Sequence, residues 1–508
     1  MGFPILSLVT FLPLLGAIIV LLLPSSSVRS IRIVSVAVAA LDLVLGAILW
    51  AAYDRGAGGF QFQEMANWIP NIAVNYHLGV DGISVPMIFL TTLLTPLALL
   101  YSAYTIKDRV KEFFFLFLLL ETGMLGVFVA LDLVLFYVFF ELGLVPMYFL
   151  IGIWGGAKRE YAAIKFFLYT LAGSVAMLLG FFYIYFTTGS FSILDAAARF
   201  ESLRPFGSNF AAVSLAFWGV FLAFAIKLPL WPFHTWLPDA HTEAPTAGSV
   251  ILAGVLLKLG GYGFLRILLP VFPSAFHYWA PLIAALAVVS IVYGALVCLA
   301  QWDLKRLIAY SSVSHMGYVM LGVAAAAYSL NAAGQEVSRA IALNGAVLQM
   351  FNHGIITGAL FLLVGVIYER AHTRDLKAFG GLGALMPYFY GFFLVAGFAS
   401  LGLPGLAGFW AELMVFRGTF GIMPAYAIVG ALGIVVTAAY ILWKIMQNMF
   451  LGQPNERWAG LPDMHSWEIA SLAPLLAVMV FFGLYPTPII GLINTATTAM
   501  ARALALVL

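Results

Sequence analysis

The stretch KLPLWPFHTWLPDAHTEAP, Lys227–Pro245, decides how this chain is read. It closes Phe210–Ile226, a run without a charged residue, with a lysine, and it places Pro229 two residues later. A proline removes an amide donor and frees a carbonyl one turn back. In hydrocarbon an unpaired carbonyl is costly, so such a break survives only inside protein or beside water. The lysine then sits at the C-terminal end of a half-helix. There the freed carbonyls and the negative end of the helix dipole favour a cation. The expectation is a membrane helix broken on purpose, with a charge held at the break.

The rest of the chain supports a membrane reading. Of 508 residues, 63% are hydrophobic and 9% are charged, against about 25% charged in a soluble domain. Apolar runs recur from end to end, each long enough to cross a hydrocarbon core of roughly 30 Å. Hydropathy breaks predict about fourteen spans: 3–23, 31–53, 80–104, 113–130, 132–153, 163–187, 211–240, 246–268, 278–299, 306–327, 340–368, 386–419, 424–450 and 469–500. The first has no basic flank before it and is read as a retained span. Cys298 is the only cysteine. That excludes an intrachain disulfide, a CxxC redox motif and an iron–sulfur cluster held by this chain alone. No phosphate-binding glycine loop is present, and the net charge of +2 gives no reason to expect nucleic acid.

Alternate loops divide the basic residues unequally. One set holds Arg29, Arg32, Lys107, Arg109, Lys111, Lys158, Arg159, Lys305, Arg306, Arg370, Arg374, Lys377 and Arg457. The other holds Arg55, Arg199, Arg204, Arg339 and Arg502. The positive-inside rule places the first set in the cytoplasm, which puts both termini on the opposite side. A second interruption, FASLGLPGLAGFWAE (Phe398–Glu412), repeats the Leu-Pro pattern of the first. Paired broken helices point to internal repeats around a transport site; two ordinary proline kinks are the plainer alternative.

Several ionisable residues fall inside spans. Glu141 and Lys258 are central in theirs, and His315 lies nine residues after Arg306, roughly 14 Å along a helix. His353 is nearly midway between Arg339 and Glu369; Glu412 follows the second break and Lys227 precedes the first. Facing lipid each would be expensive, so each is expected inside the bundle, paired or wet. A single buried Glu–Lys pair reads equally well as a structural fastener, and a lone intramembrane histidine more often packs than carries protons. Six such groups of mixed sign point instead to a proton path. His234 and His241 lie near the first break as candidate lining of a water path, with Asp239 and Glu243 as mouth residues. Asp42 and Glu121 also fall within spans, without an assigned partner, and Asp132 reads as an interface residue.

The long motifs carry a resemblance. Leu222–Gly263, LAFAIKLPLWPFHTWLPDAHTEAPTAGSVILAGVLLKLGGYG, is similar to the proton-translocating signature of the antiporter-like membrane subunits of respiratory complex I, NADH:quinone oxidoreductase, and of their Mrp cation/proton antiporter relatives. Tyr76–Leu94, Phe139–Ser174, Lys305–Val319 and Asn352–Leu382 resemble the complex I branch. The resemblance implies an all-α integral membrane fold of fourteen helices. Two inverted five-helix repeats, helices 4–8 and 9–13, would contain broken helices 7 and 12. The corresponding division is 1–110, 111–270, 271–452 and 453–508.

By the same resemblance Glu141 is the helix-5 glutamate that pairs with Lys227, and Lys258 is the central lysine of helix 8. His315 and His353 are the histidines of helices 10 and 11, and Glu412 is the acid of helix 12, where sister subunits carry lysine. A hydrated axis Glu141, Lys227, Lys258, His315, Glu412 is implied. Separating Glu141 from Lys227 would favour proton loss from the lysine. No cofactor is expected in this chain; FMN, iron–sulfur clusters, NADH and quinone would belong to other subunits. Implied partners are sister antiporter-like subunits on either side, the long lateral helix of the distal one, and membrane lipids. The implied location is the bacterial cytoplasmic (inner) membrane, with both termini periplasmic. An Mrp-type sodium/proton antiporter subunit, a passive scaffold, and a hydrogenase or other quinone-reductase membrane subunit are the alternatives.

Overall fold

A computed structural model describes residues 3–329 and 334–507. Thirteen of its helices are long and apolar enough to cross a membrane. Those used below are α1 (Ile5–Leu22), α2 (Val28–Ala52), α3 (Ser84–Thr105), α4 (Val110–Val129), α5 (Leu133–Leu142), α6 (Leu144–Trp154), α7 (Arg159–Thr188), the short α8 (Ile193–Leu203), α9 (Phe210–Lys227) and α10 (Trp236–Glu243). They continue with α11 (Thr246–Val271), α12 (Pro273–Ala300), α13 (Leu304–Tyr328), α14 (Gln335–Ala371), α15 (Pro387–Leu401), α16 (Ala407–Phe420), α17 (Pro424–Phe450), α18 (Ser466–Leu484) and α19 (Thr487–Val507). Helices α5 and α6 together make one span. The shorter α15, continued after a break by α16, occupies the twelfth expected position.

The helices differ in how far the protein encloses them. Helices α11 and α14 are wholly surrounded, and α13 and α3 nearly so, whereas α2, α7, α17 and α18 leave most of their surface outward. Outward faces carry Leu, Ile, Val and Phe, the surface that lipid or an apolar neighbour covers without cost. The enclosed column is where a charge can be held away from hydrocarbon, and Lys258, His315 and His353 all lie on it.

Four local features refine the expected spans. The mostly helical fold includes one short sheet. Strands β1 (Gln61–Ile69) and β2 (Val74–Val80) form an antiparallel hairpin between α2 and α3, so residues 80–83 precede the third span. A turn at Pro70–Ala73, with Ala73 at φ +55°, reverses the chain. The fifth span is interrupted at Gly143, because Pro146 gives no amide to continue the ladder from Leu142. The last predicted span, 469–500, is two helices. Tyr485 leaves the helical region ahead of Pro486 (φ −134°, ψ 77°), as the α conformation is disfavoured before proline. The eighth span contains two π-turns, Leu252–Leu256 and Phe264–Leu268, on either side of Lys258.

Candidate proton-relay site

Both Leu-Pro sequences break their helices. In the first, Pro229 denies Ala225 its helical donor, and the amide of Leu230 bonds that carbonyl at 2.9 Å instead. The next carbonyl, Ile226, accepts from the indole of Trp236 at 2.9 Å. The amide of Trp231 donates to Ser290 Oγ at 2.7 Å. In the second, Gly402 (φ +77°) and Gly405 (φ +91°) turn the chain between α15 and α16. Asn352 donates to the Ala407 carbonyl at 2.5 Å, and Trp410 donates to the Gly483 carbonyl at 2.8 Å. The first break is thus closed by its own Leu230 amide and by the Trp236 indole, and the second is tied to α14 through Asn352 and to α18 through Trp410.

Lys227 ends α9, as expected, and is 1% exposed. Its surroundings differ from the expectation. The freed carbonyls are occupied by the Leu230 amide and the Trp236 indole, and the ammonium instead faces the rings of Phe140 and Phe166 at 5.1 and 5.7 Å. That is cation–π distance, worth about 2 kcal/mol when desolvated. Glu141 is next to Phe140 but does not close an ion pair with Lys227. Among the described residues the contacts within 4.0 Å are Arg109–Glu112, Lys165–Asp239, Arg266–Asp81, His315–Glu412, Arg370–Glu468 and Arg374–Asp303. Glu141 is only half-buried, among the outward side chains of Val138, Val145 and Phe149.

Lys258 is fully buried. Its placement follows from two glycines. Helices α11 and α14 cross so closely at Gly254 and Gly354 that a Cβ on Gly354 would stand 2.7 Å from the Gly254 carbonyl oxygen. One turn along α11, Lys258 Nζ donates to His353 Nδ1 at 2.6 Å and to the Ala253 carbonyl at 2.5 Å. Ala253 lies in the π-turn, where the wider winding disturbs the i→i−4 ladder, a local defect common at functional sites. The break at Leu228 packs onto the same helix. A Cβ on Gly260 would meet the Leu228 amide at 2.7 Å, which brings the end of α9 beside the segment carrying Lys258.

The path continues on the other side of His353. Its ring centroid is 5.8 Å from that of His315. Between them is a cavity of ≈ 10 Å³ lined by His315, Gln349, His353, Thr357, Ser400 and Glu412, at the threshold for one water. His315 Nε2 is 3.1 Å from Ser400 Oγ. Its Nδ1 is 3.3 Å from Glu412 Oε1 and 3.4 Å from Gln349 Nε2. Glu412 folds back toward the break, for a Cβ on Gly402 would stand 2.7 Å from its Oε2. The carboxyl thus approaches the N-terminal end of α16, where the helix dipole favours negative charge.

The lower-ranked residues divide. His241 is fully buried and stacks on Phe361 at 4.6 Å, with both ring nitrogens unpartnered. His234 packs edge-on to Tyr293 at 5.2 Å, with Nδ1 unpartnered. Neither is bonded to the Lys258–His353 pair. Asp239 pairs with Lys165 at 2.6 Å. Glu243 accepts from the Lys158 amide at 2.9 Å and borders a cavity of ≈ 430 Å³ with Lys305, Glu369 and Arg374. There Lys305 Nζ donates to the Ala244 carbonyl. Sequence reasoning missed Gln349, Ser400 and Lys305. Gln349 is four residues before His353, a spacing that places two polar side chains on one helix face and could have drawn attention to it. Among the described residues no group of three or more His, Cys, Asp or Glu could hold a metal ion.

With this geometry in place, the chain can be set beside known proteins. Residues 130–439 match the family described as NADH:quinone oxidoreductase/Mrp antiporter, TM, and residues 59–129 match NADH-ubiquinone oxidoreductase chain 4, amino terminus. NADH-quinone oxidoreductase subunit M of Rickettsia conorii is 41% identical over 497 residues, 97% of either chain. The Rhodobacter capsulatus subunit M is 43% identical over 508 residues, 98% of this chain and 96% of that one. A chain of respiratory complex I from Thermus thermophilus superposes with a TM-score of 0.87 at 30% identity, covering 98% and 99% of the two chains. A chain of the Mrp complex from Dietzia shares the fold at 22% identity and a TM-score of 0.84, covering 99% of each. Two broken helices around an enclosed column, together with these matches over nearly the full length, mean that the chain belongs to the NADH:quinone oxidoreductase/Mrp antiporter family of membrane subunits, on its subunit M/chain 4 branch.

Proposed function

We propose that this protein is the proton-translocating subunit M of a NADH:quinone oxidoreductase, moving protons along its buried Lys, His and Glu side chains while redox chemistry proceeds in other subunits. The observation that carries the reading is the contact series Lys258–His353–cavity–His315–Glu412 through the enclosed column. Lys258 donates to a ring nitrogen, so moving that proton leaves a neutral amine and an imidazolium. One water in the cavity would join the two imidazoles. His315 Nδ1 has a partner in either protonation state. Bare, it accepts from Gln349; protonated, it donates to Glu412. Glu412 exchanges the proton onward, and Lys227 feeds the series from the first break. Opening or closing the distance between Glu141 and Lys227 sets when it does so. His241 and His234 are assigned to the approach toward this series from the first break.

The two breaks serve as equivalent positions of two inverted repeats, 111–270 and 271–452, flanked by 1–110 and 453–508. The half-buried Glu141 and its apolar surroundings suit a sister antiporter-like subunit packed on that side. A second sister subunit, the lateral helix of the distal one, and lipids cover the remaining outward faces. FMN, iron–sulfur clusters, NADH and quinone are assigned to other subunits. The basic loops support an orientation with periplasmic termini, which suits a bacterial inner membrane. Identity above 40% to subunit M chains over nearly the whole length favours this over an Mrp sodium/proton antiporter, for which the likeness is of fold.

The test is proton uptake into vesicles carrying the assembled complex during NADH oxidation. Lys227→Ala and Glu412→Ala, together, should abolish uptake through this subunit while the complex still assembles. An assembled double variant that pumps fully ends the proposal.

A further inference from the structure

Two carboxyl groups lie inside the bundle but away from the relay. Asp42 on α2 and Glu121 on α4 are both 0% exposed, and none of their four oxygens has a hydrogen-bond partner. The charge of each is within reach of the other, and the Thr95 hydroxyl of α3 lies beside Glu121. That hydroxyl already gives its proton to the Thr91 carbonyl at 2.9 Å, so toward Glu121 it can only accept. Nearby, Pro96 provides no amide for the Thr92 carbonyl. Acceptors outnumber donors at this level, and the missing component is a proton.

The depth of the pair follows from neighbouring contacts. Gly123 packs on the Gly143 amide, with a built Cβ at 2.9 Å, so Glu121 lies near the depth of Glu141 but around the opposite face of α4. Gly46 packs on Thr92, so Asp42, one turn away on α2, is level with Thr95. On its other side α3 packs on α11 through Leu94 and Gly254. The pair is therefore close to mid-membrane, behind α3 as seen from Lys258.

No counter-ion is available to it. Helix α1 has no ionisable side chain. On α2 the others are Arg29 and Arg32, at its cytoplasmic end; Arg32 donates to the Ile106 carbonyl. Helix α3 has Tyr101 and Tyr104 toward the same end; in the first turn of α4, Glu112 contacts Arg109 and Lys111 donates to the Leu23 carbonyl at 2.7 Å. Of the other elements against α4, α5 carries Tyr137 and the half-buried Glu141, α6 carries Tyr148, and β2 carries Tyr76 and His77. On α11, Lys258 is bonded to His353, while Arg266 is paired with Asp81 and bonded to Tyr262. Two unpaired carboxylates side by side in such a place are too costly to coexist.

We propose that Asp42 and Glu121 form a proton-sharing carboxyl pair, a second proton-binding site in the membrane domain, separate from the Lys258–Glu412 series. Its ligand is a proton, held between the two carboxyls or donated to Thr95. The inference does not rest on the relay reading, because it concerns proton occupancy and not pumping.

The test is infrared spectroscopy of the assembled complex in detergent, in H2O and D2O, as pH is varied at fixed sodium and then sodium at fixed pH. A carboxylic-acid C=O band, shifted in D2O, is expected to persist through neutral pH and to be lost in Asp42→Asn/Glu121→Gln. In Asp42→Asn alone, the remaining Glu121 should change its proton affinity by more than about tenfold, as coupled acids do. An unchanged band in the double variant overturns the proposal. A band governed by sodium concentration and not by pH also overturns it, and marks a cation site instead. If the double variant does not assemble, Glu121→Gln decides the matter by the same band. Glutamine is isosteric with the neutral acid, so failure of that single variant to assemble counts against a protonated Glu121.

Discussion

The two broken helices solve one problem in opposite ways. At the first, a cation ends a half-helix, lies over two aromatic rings, and has its expected acid out of ion-pair contact at a half-buried flank. At the second, an acid near the start of a half-helix touches a buried histidine and bends back to the break. Each charge has the sign that its end of the helix dipole favours. The first arrangement is loose and open toward a neighbour; the second is closed within the chain. Under the proposed relay, a distance that a neighbouring subunit could change belongs at the first break, and a fixed handover at the second.

The largest expected effect tests the join between them. Lys258→Ala removes the amine shared by His353 and the Ala253 carbonyl. Proton uptake through this subunit should fall by at least about tenfold, or about 1.4 kcal/mol in barrier terms. Uptake within twofold of wild type would show that the two halves do not communicate through this contact.

The asymmetry itself is tested by the acids. Glu412→Ala breaks an enclosed pair, at a cost of up to about 3 kcal/mol when the histidine is charged. Glu141→Ala removes a half-buried group that closes no ion pair, for about 1 kcal/mol or less. Thermal unfolding of the complex should separate the two variants, and equal losses would erase the distinction drawn above.

A smaller difference is expected between the tryptophans beside the breaks. Trp236→Phe strands the buried Ile226 carbonyl, for about 1–3 kcal/mol. Trp410→Phe uncovers the Gly483 carbonyl near a helix end, where Trp410 is only part-buried, and should cost less. Subunit retention in the purified complex reports both. The smallest effect sharpens the second break. Gly402→Ala forces alanine into a left-handed conformation, about 1–2 kcal/mol, and presses on the Glu412 carboxyl. Gly189→Ala has a similar φ of +74° and nothing within 4 Å of its Cβ, so it measures the strain alone. Any excess loss of proton uptake at Gly402 belongs to Glu412.

Much of this is legible along the chain. Leu228-Pro229 and Leu403-Pro404 announce the breaks because proline acts on its own helix. Lys258, His315, His353 and Glu412 stand out because a charge amid apolar residues is expensive wherever the helix packs. Pro486 and Pro488 also marked the division of the last predicted span, a local signal outweighed by continuous hydropathy. The hairpin of β1 and β2 was hidden because its pairing exists only once the strands meet. The contact between Lys258 and His353 was hidden for a related reason. It depends on Gly254 and Gly354 meeting across two helices that are 100 residues apart at that point.

The sequence alone determined that this is a multi-span membrane protein with two interrupted helices and mid-span ionisable groups. Those are properties of single segments in a low-dielectric solvent. Only the tertiary structure decided which of those groups touch: His353 between Lys258 and His315, Glu412 on His315, Lys227 on aromatic rings instead of Glu141, and two orphan acids behind α3. Contacts between helices depend on where small residues let backbones approach, and that information is held jointly by two surfaces.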